Sequence, residues 1–329
     1  MRTYVLIGGA GVFATHTAKY LLERPETGKV ICVGRNIPRG DHYTLGVGRG
    51  DPRYSYEQIH MVFEQDRLAK LFDHEEPDVV INFAALAYAT SWENSHRFYD
   101  TNLTAVARMC EFLAGRDYLR KFVQIGTSEL YGSVDRPVNE AAPLKPTSPY
   151  AVSKMAADLH LGTMFDAMRF PMNIIRPSNA SGPGQQVWRV LPRAVLCGLT
   201  GQKLPLQGGG TVEKSYFHAA DLARAIQLVA DEAPPGRTYN VGPEAPVTIS
   251  HLLELVADEM GVPFDDLCAP APARSGEDQR YWLDSSRIRD ELGWRPEIDL
   301  RAGVRDVVAW GVQHLDALRA EATEFVLRA

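Results

Sequence analysis

Tyr150 and Lys154 stand four residues apart in a stretch of helical character, so their side chains share one face. A phenol with an ordinary pKa near 10 must come down by about 3 units to act as a phenolate at neutral pH, a difference of about 4 kcal/mol. A neighbouring ammonium favours that charged form. Such a pair can take the proton from an alcohol while a hydride leaves the same carbon. Upstream, the run Gly126-Thr127-Ser128-Glu129-Leu130-Tyr131-Gly132 adds a hydroxyl, Thr127, able to orient the alcohol. It also adds a carboxylate, Glu129, able to remove a carbon-bound proton from the resulting ketone. A plain dehydrogenase has no need of that second base. Tyr/Lys pairs at this spacing also arise by chance, so context has to strengthen this one. It opens a helical stretch just after Pro146–Pro149, between two predicted strands, and follows a strand that ends in Gly126-Thr127.

A hydride needs an acceptor. Gly8-Gly9-Ala10-Gly11-Val12-Phe13-Ala14 follows the first apolar run and opens the first helical stretch. Gly8 and Gly11 allow a tight turn and close backbone approach to a pyrophosphate, whose charge then rests on the helix N-terminus at Val12 and Phe13. Ala14 stands where a third small residue is needed. This pattern predicts a nicotinamide dinucleotide. The end of the second strand reads Val33-Gly34-Arg35-Asn36. An acidic residue there would repel a 2′-phosphate, whereas Gly34 removes that carboxylate and Arg35 can pair with the phosphate. The expectation is NADP rather than NAD.

These groups need a frame. Apolar runs at Tyr4–Ile7, Val30–Val33, Ile59–Phe63, Val79–Phe83, Phe122–Ile125 and Met172–Ile175 predict buried strands. Amphipathic stretches at Phe13–Glu23, Asp66–Asp73, Tyr99–Leu113 and Ala151–Met168 lie between them. The alternation predicts an α/β fold with a Rossmann-type, doubly wound parallel sheet. Arg39–Ser55, rich in glycine, reads as a long surface loop. After Pro177 the rhythm changes. A helix near Val187–Leu199 precedes Leu204–Leu206, and Ser215–Phe217 and Thr238–Val241 flank a helix at Leu222–Ala230. Further helices are expected at Ile249–Met260 and Leu300–Ala329. We expect a dinucleotide-binding domain over 1–178 and a smaller mixed α/β substrate domain over 179–329. Segments near 212–242 are expected to return to the first.

With 329 residues and a net charge of −6, the chain lacks the clustered basic surface that nucleic acid or anionic membranes call for. No apolar stretch approaches membrane-spanning length, and Met1 runs straight into a strand pattern with no leader, which predicts a cytoplasmic protein. Cys32, Cys110, Cys197 and Cys268 are far apart and read as buried reduced thiols. No His/Cys/Asp cluster has metal-ligand spacing, so no metal is expected; His42 and His218 read as structural.

The sequence resembles the extended short-chain dehydrogenase/reductase family, in its nucleotide-sugar branch, over nearly its whole length. The resemblance is carried by Gly8-Gly9-Ala10-Gly11, Asn82-Phe83-Ala84-Ala85, Thr101-Asn102, Thr127, Tyr150/Lys154 and Arg176-Pro177-Ser178-Asn179. It extends to Gly182-Pro183-Gly184-Gln185, Tyr239-Asn240-Val241-Gly242 and Arg274–Tyr281. It implies that Ala84, Ala85, Asn102, Pro177, Arg35 and Asn36 line the dinucleotide together with Tyr150 and Lys154. It also implies a nucleoside-diphosphate sugar as substrate, contacted by Tyr88, Asn179, Arg189, Lys214, Arg274 and Arg280, since a diphosphate in a net-acidic protein needs local cations. Subunits of the family commonly dimerise through helices that would correspond to Asn102–Ala114 and Ala151–Met168. Thr-Ser-Glu-Leu-Tyr-Gly is similar to GDP-mannose 4,6-dehydratases, and Arg274–Asp284 to dTDP-glucose 4,6-dehydratases. The latter use an Asp-Glu pair where this chain has Ser128-Glu129, so Glu129 handles both protons or shares them with Ser128 or water. Met61 stands where an acidic residue is expected near the adenine, and Lys214 where arginine is frequent. The implied activity is 4,6-dehydration, giving a 4-keto-6-deoxy sugar. UDP-uronate decarboxylation and epimerisation stay open on the same fold, and so does a dinucleotide-sensing protein without catalysis.

Overall fold

The computed structural model describes residues 1–38, 40–87, 92, 94–273 and 278–321. Its centre is a seven-stranded sheet. The first six strands are β1 (Arg2–Ile7), β2 (Thr27–Gly34), β3 (Tyr54–Gln58), β4 (Val79–Asn82), β5 (Lys121–Ile125) and β6 (Met172–Pro177). The seventh, Thr238–Val241, lies beside β6, and the spatial order is Thr238–Val241, β6, β5, β4, β1, β2, β3. Every neighbouring pair is parallel. The order reverses between β1 and β4, and the carboxyl ends of strands at such a switch point open a crevice.

Parallel strands covered on both faces must be apolar throughout, which is why β4 and β5 are buried at every position. One face packs Leu6, Ile81 and Val123 against the helices Val12–Leu22 and Ala219–Glu232. The other packs Val5, Val80 and Phe122 against Gln65–Glu75, Ala105–Leu113 and Pro149–Met168. A separate core joins the helices Val190–Thr200, Ile249–Met260 and Leu300–Gln313 over the pair Leu204–Gln207 and Cys268–Ala271. All four cysteines are buried and unpaired.

Three expectations need correction. The third strand is Tyr54–Gln58 and not Ile59–Phe63. Tyr54 and Tyr56 pack on one core while Ser55 and Glu57 point the other way, so this strand near the edge alternates and does not form an apolar run. Ile59 and Met61 are buried beyond its end, and Phe63 is 81% exposed. Arg39–Ser55 is not all loop: Asp41–Thr44 forms a helical turn that buries Tyr43, and Tyr54 and Ser55 are in β3. The last helix ends at Gln313 and a short one follows at Leu315–Arg319; positions 322–329 lie outside the described residues.

Candidate active site

The glycine loop is shaped by its neighbours. Gly8 has φ 84°, and a Cβ there would lie 2.6 Å from the Ala84 nitrogen. Gly8 and Gly9 both donate to the Val33 carbonyl at 2.8 Å. Gly11 precedes the helix Val12–Leu22 with no side-chain cap and no acid in the first turn. Its amides are therefore open to an anion, and a Cβ at Gly11 would meet only the Gly8 carbonyl. This cradle fits a dinucleotide pyrophosphate.

At the end of β2, the Tyr56 hydroxyl donates to the Asn36 carbonyl at 2.5 Å and Gln58 donates to the Arg35 carbonyl at 3.1 Å. A Cβ at Gly34 would stand 2.4 Å from that same hydroxyl. Burial, and after it the nearby Arg35 charge, holds His60 below its usual pKa. Arg35 and Asn36 are exposed at the crevice end of the strand.

The loop after β4 is held from below. Ala84 donates to Asn82 Oδ1 at 3.1 Å, and Asn82 Nδ2 donates to Gln124 at 2.9 Å. Asn102, buried in a π-helical turn Asp100–Thr104, takes a hydrogen bond from the Leu86 amide and donates to the Leu86 carbonyl and Ser153 Oγ. Its side chain is fully used in bracing the Ala84–Leu86 segment against the helix Pro149–Met168. Ala85 is exposed on that segment, and Pro177 is buried at the end of β6, opposite Val241.

The candidate reacting groups stand at the crevice ends of β5 and of the helix Pro149–Met168. Ser148 caps this helix by accepting from the Ala151 amide, and Pro149 starts it. Thr127 Oγ1 accepts from the Glu129 amide at 3.2 Å and caps the 3₁₀ turn Ser128–Tyr131. The Thr127 hydroxyl stands close enough to Tyr150 to favour its phenolate. Tyr150 is buried, and burial pushes its phenol well above the ordinary value; the Glu129 carboxylate pushes the same way, while Thr127 and Arg189 oppose both. Burial also raises the Glu129 carboxyl, with Asp278 adding to the shift and Lys214 and Arg189 countering it. Lys154 donates to the Ile125 carbonyl at 2.5 Å, and burial lowers its ammonium to about 8 despite Asp158. Ser128 is buried beside Glu129.

Facing this corner, Lys214 lies 3.9 Å from the centre of the Tyr281 ring and donates to the Asp278 carbonyl at 3.2 Å. Asp278 Oδ2 accepts from Thr147 and Tyr281. Arg280 is ion-paired with Glu213. Arg189 precedes the helix Val190–Thr200, and Asn179 opens the short strand Asn179–Ser181. Tyr88 and Arg274 lie outside the described residues. Tyr150, Thr127, Glu129, Arg189, Lys214 and Asp278 are thus brought within electrostatic reach of one another. Asp278 was missing from the sequence-based set, and only its place in the Arg274–Tyr281 run could have marked it.

A phenol, a hydroxyl and a carboxylate on one wall, with cations opposite, suit oxidation of a sugar carbon followed by removal of a neighbouring proton. The sequence matches the family model described as GDP-mannose 4,6 dehydratase over residues 5–307. It is 30% identical to a dTDP-glucose 4,6-dehydratase of Neisseria meningitidis serogroup B, over 94% of this chain and 93% of that protein. It is also 30% identical to one of Streptomyces griseus, over 95% of each. The crystal structure of DesIV, a dTDP-glucose 4,6-dehydratase from Streptomyces venezuelae with NAD and TYD bound, superposes with a TM-score of 0.89 at 27% identity. That match covers 96% of this chain and 98% of the other.

Proposed function

The chain belongs to the GDP-mannose 4,6-dehydratase family of extended short-chain dehydrogenases/reductases, and from that premise we propose that it converts a nucleoside-diphosphate hexose to its 4-keto-6-deoxy form. The observation that carries the reading is Glu129 beside Tyr150: the carboxylate raises the phenol's pKa, and both groups feel the Arg189 charge within one pocket. A bound nicotinamide dinucleotide supplies the acceptor for the C4 hydride and later its donor. Tyr150 takes the C4 hydroxyl proton, with Thr127 holding the same oxygen. Tyr150 is neutral in the free protein, so the cations gathered around it, Lys154 on its own helix and Arg189 opposite, favour the phenolate once substrate is seated. The 4-keto group acidifies the C5 hydrogen, and Glu129 removes it. Its raised pKa also suits Glu129 to return a proton to the departing C6 oxygen, with Ser128 alongside, where related enzymes place an aspartate. Asn179, Arg189, Lys214 and Arg280 hold the diphosphate, joined by Tyr88 and Arg274. For Arg280 this requires sharing or leaving Glu213.

Finer points rest on separate observations. The missing carboxylate at Gly34 and the exposed Arg35 support NADP over NAD, although related structures hold NAD. The Gly8–Gly11 cradle, with Val12, Phe13, Ala84, Ala85 and Pro177 around it, supports the dinucleotide site, and Asn102 serves it by bracing the loop. Thr238–Val241 completing the sheet supports assigning 1–178 and the segments near 212–242 to the dinucleotide domain, and 179–329 to the sugar nucleotide. Leu159 and Met168, exposed on the helix Pro149–Met168, support a homodimer through that helix and its neighbour. Among the described residues no helix is long and apolar enough to cross a membrane, and the buried free thiols suit a reducing cytoplasm.

The test is Glu129→Gln incubated with dTDP-glucose, GDP-mannose and UDP-glucose. Bound dinucleotide becomes reduced, but the product lighter by about 18 mass units does not accumulate. Full turnover by that variant removes Glu129 from the mechanism. Loss of carbon dioxide from a uronate, or an isomer of unchanged mass, replaces dehydration with decarboxylation or epimerisation.

A further inference from the structure

One buried ion pair lies directly behind the reacting groups and touches both of the elements that carry them. Arg176, on β6, donates through Nε to Asp158 Oδ2 at 2.9 Å, and the two side chains are 8% and 1% exposed. Asp158 follows Lys154 by one helical turn, so the two side chains share one face of the helix Pro149–Met168 without forming a direct ion pair. Asp158 Oδ1 is buried without a hydrogen-bond partner. On its other side Arg176 donates through Nη1 to the Tyr131 hydroxyl at 2.8 Å. Tyr131 closes the 3₁₀ turn that presents Ser128 and Glu129, and its hydroxyl donates to Asn240 Oδ1 at 2.9 Å. The Asn240 amide in turn donates to Glu140 at 2.8 Å. A Cβ on Gly126 would sit 3.2 Å from Arg176 Cγ and 3.4 Å from Asp158 Oδ2, so the backbone between β5 and Thr127 lies against the same pair.

We propose that Asp158 is a positioning residue: clamped by Arg176, it keeps Lys154 charged and, through Arg176 and Tyr131, fixes the turn of Glu129 against the helix of Tyr150. A lysine this deeply buried, donating to a single carbonyl, would otherwise shed its proton to avoid an uncompensated charge. The charged and titratable groups around the pair are Lys154 and Tyr150 on the helix, Arg176 from β6, Tyr131 from the turn and, beyond Tyr131, Glu140. Asp158 is the group that raises the Lys154 pKa against burial, so neutralising it moves the loss of the ammonium to lower pH. The same pair orients the proton-abstracting carboxylate, so both halves of the reaction share one support.

The inference rests on the dehydratase reading for its kinetic arm only. The first measurement needs no substrate. The chain has eight lysines, and labelling them at Cε lets each be titrated by NMR, with Lys154→Met assigning the resonance. Asp158→Asn lowers the Lys154 midpoint by about one pH unit or more, the other lysines stay put, and Asp158→Glu restores it. If Asp158→Asn does not fold, the neutral pair Asp158→Asn with Arg176→Gln gives a downward shift that is smaller, because a repelling cation is lost as well. The second measurement separates the steps in a single turnover of dTDP-glucose. Tyr131→Phe leaves dinucleotide reduction near the wild-type rate and slows its reoxidation about tenfold. An unmoved Lys154 midpoint, or equal slowing of both steps in Tyr131→Phe, overturns the proposal. A wild-type protein that never turns over the sugar nucleotide sinks the dehydratase reading while the titration still decides the role of Asp158.

Discussion

On the sheet side of the cleft, Tyr150, Lys154, Thr127 and Arg176 are buried, and each is tied to backbone or to another buried group. On the opposite side the cations are half-buried or exposed. The Arg280–Glu213 pair is 35% and 28% exposed, against 8% and 1% for Arg176–Asp158. An exposed pair contributes about 0–1 kcal/mol and can exchange partners, whereas breaking a buried pair costs about 3–5 kcal/mol. The contrast separates two tasks. On the proposed reading, chemistry sits on the more deeply buried wall, and recognition of the charged part of a substrate sits on the wall whose ion pairs can open.

Variants that hit each wall separately sharpen or break this contrast. Tyr150→Phe lowers kcat by about 10²–10⁴-fold while leaving sugar-nucleotide affinity near wild type, measured by stopped-flow and calorimetry. Arg176→Ala strands Asp158 and costs about 3–5 kcal/mol in urea unfolding. Acid acts at a third place, the first helix. His16 in the glycine-loop helix meets the Pro183 carbonyl at 2.9 Å, and burial holds its imidazole down to about 4. The unfolded chain, with histidine near 6.5, binds that proton first, so stability is full above about 6.5 and falls by up to about 3 kcal/mol as pH drops toward 4. Urea melts across that range, compared with His16→Phe, check this. On the far wall, Lys214→Met raises KM about tenfold with a smaller change in kcat, as expected of the diphosphate contact proposed for it. Arg280→Ala leaves the urea unfolding midpoint near that of the wild type. A collapse of the fold in Arg280→Ala would place the rigid support on the wrong wall.

Much of this was legible in the chain. Helices and parallel strands follow from apolar period, and Tyr150, Lys154 and Glu129 from residue type and spacing. The third strand was misplaced because Tyr54–Gln58 alternates while Ile59–Phe63 merely looks apolar. Asn102 read as a cofactor contact, but its amide is consumed by Leu86 and Ser153. No period could reveal the Asp158–Arg176–Tyr131–Asn240 chain, whose partners are 18, 45 and 109 residues apart. Only folding the sheet brings them together.

The Tyr56 hydroxyl fills the space where a side chain at position 34 would begin, and it is held there by the Asn36 carbonyl. Acquiring an acidic residue at that point, the usual mark of a preference for the unphosphorylated dinucleotide, therefore requires the Tyr56 side chain to shift and to give up its hydrogen bond to the Asn36 carbonyl. On the proposed preference for NADP, the packing at position 34 thus adds a steric term to the electrostatic one.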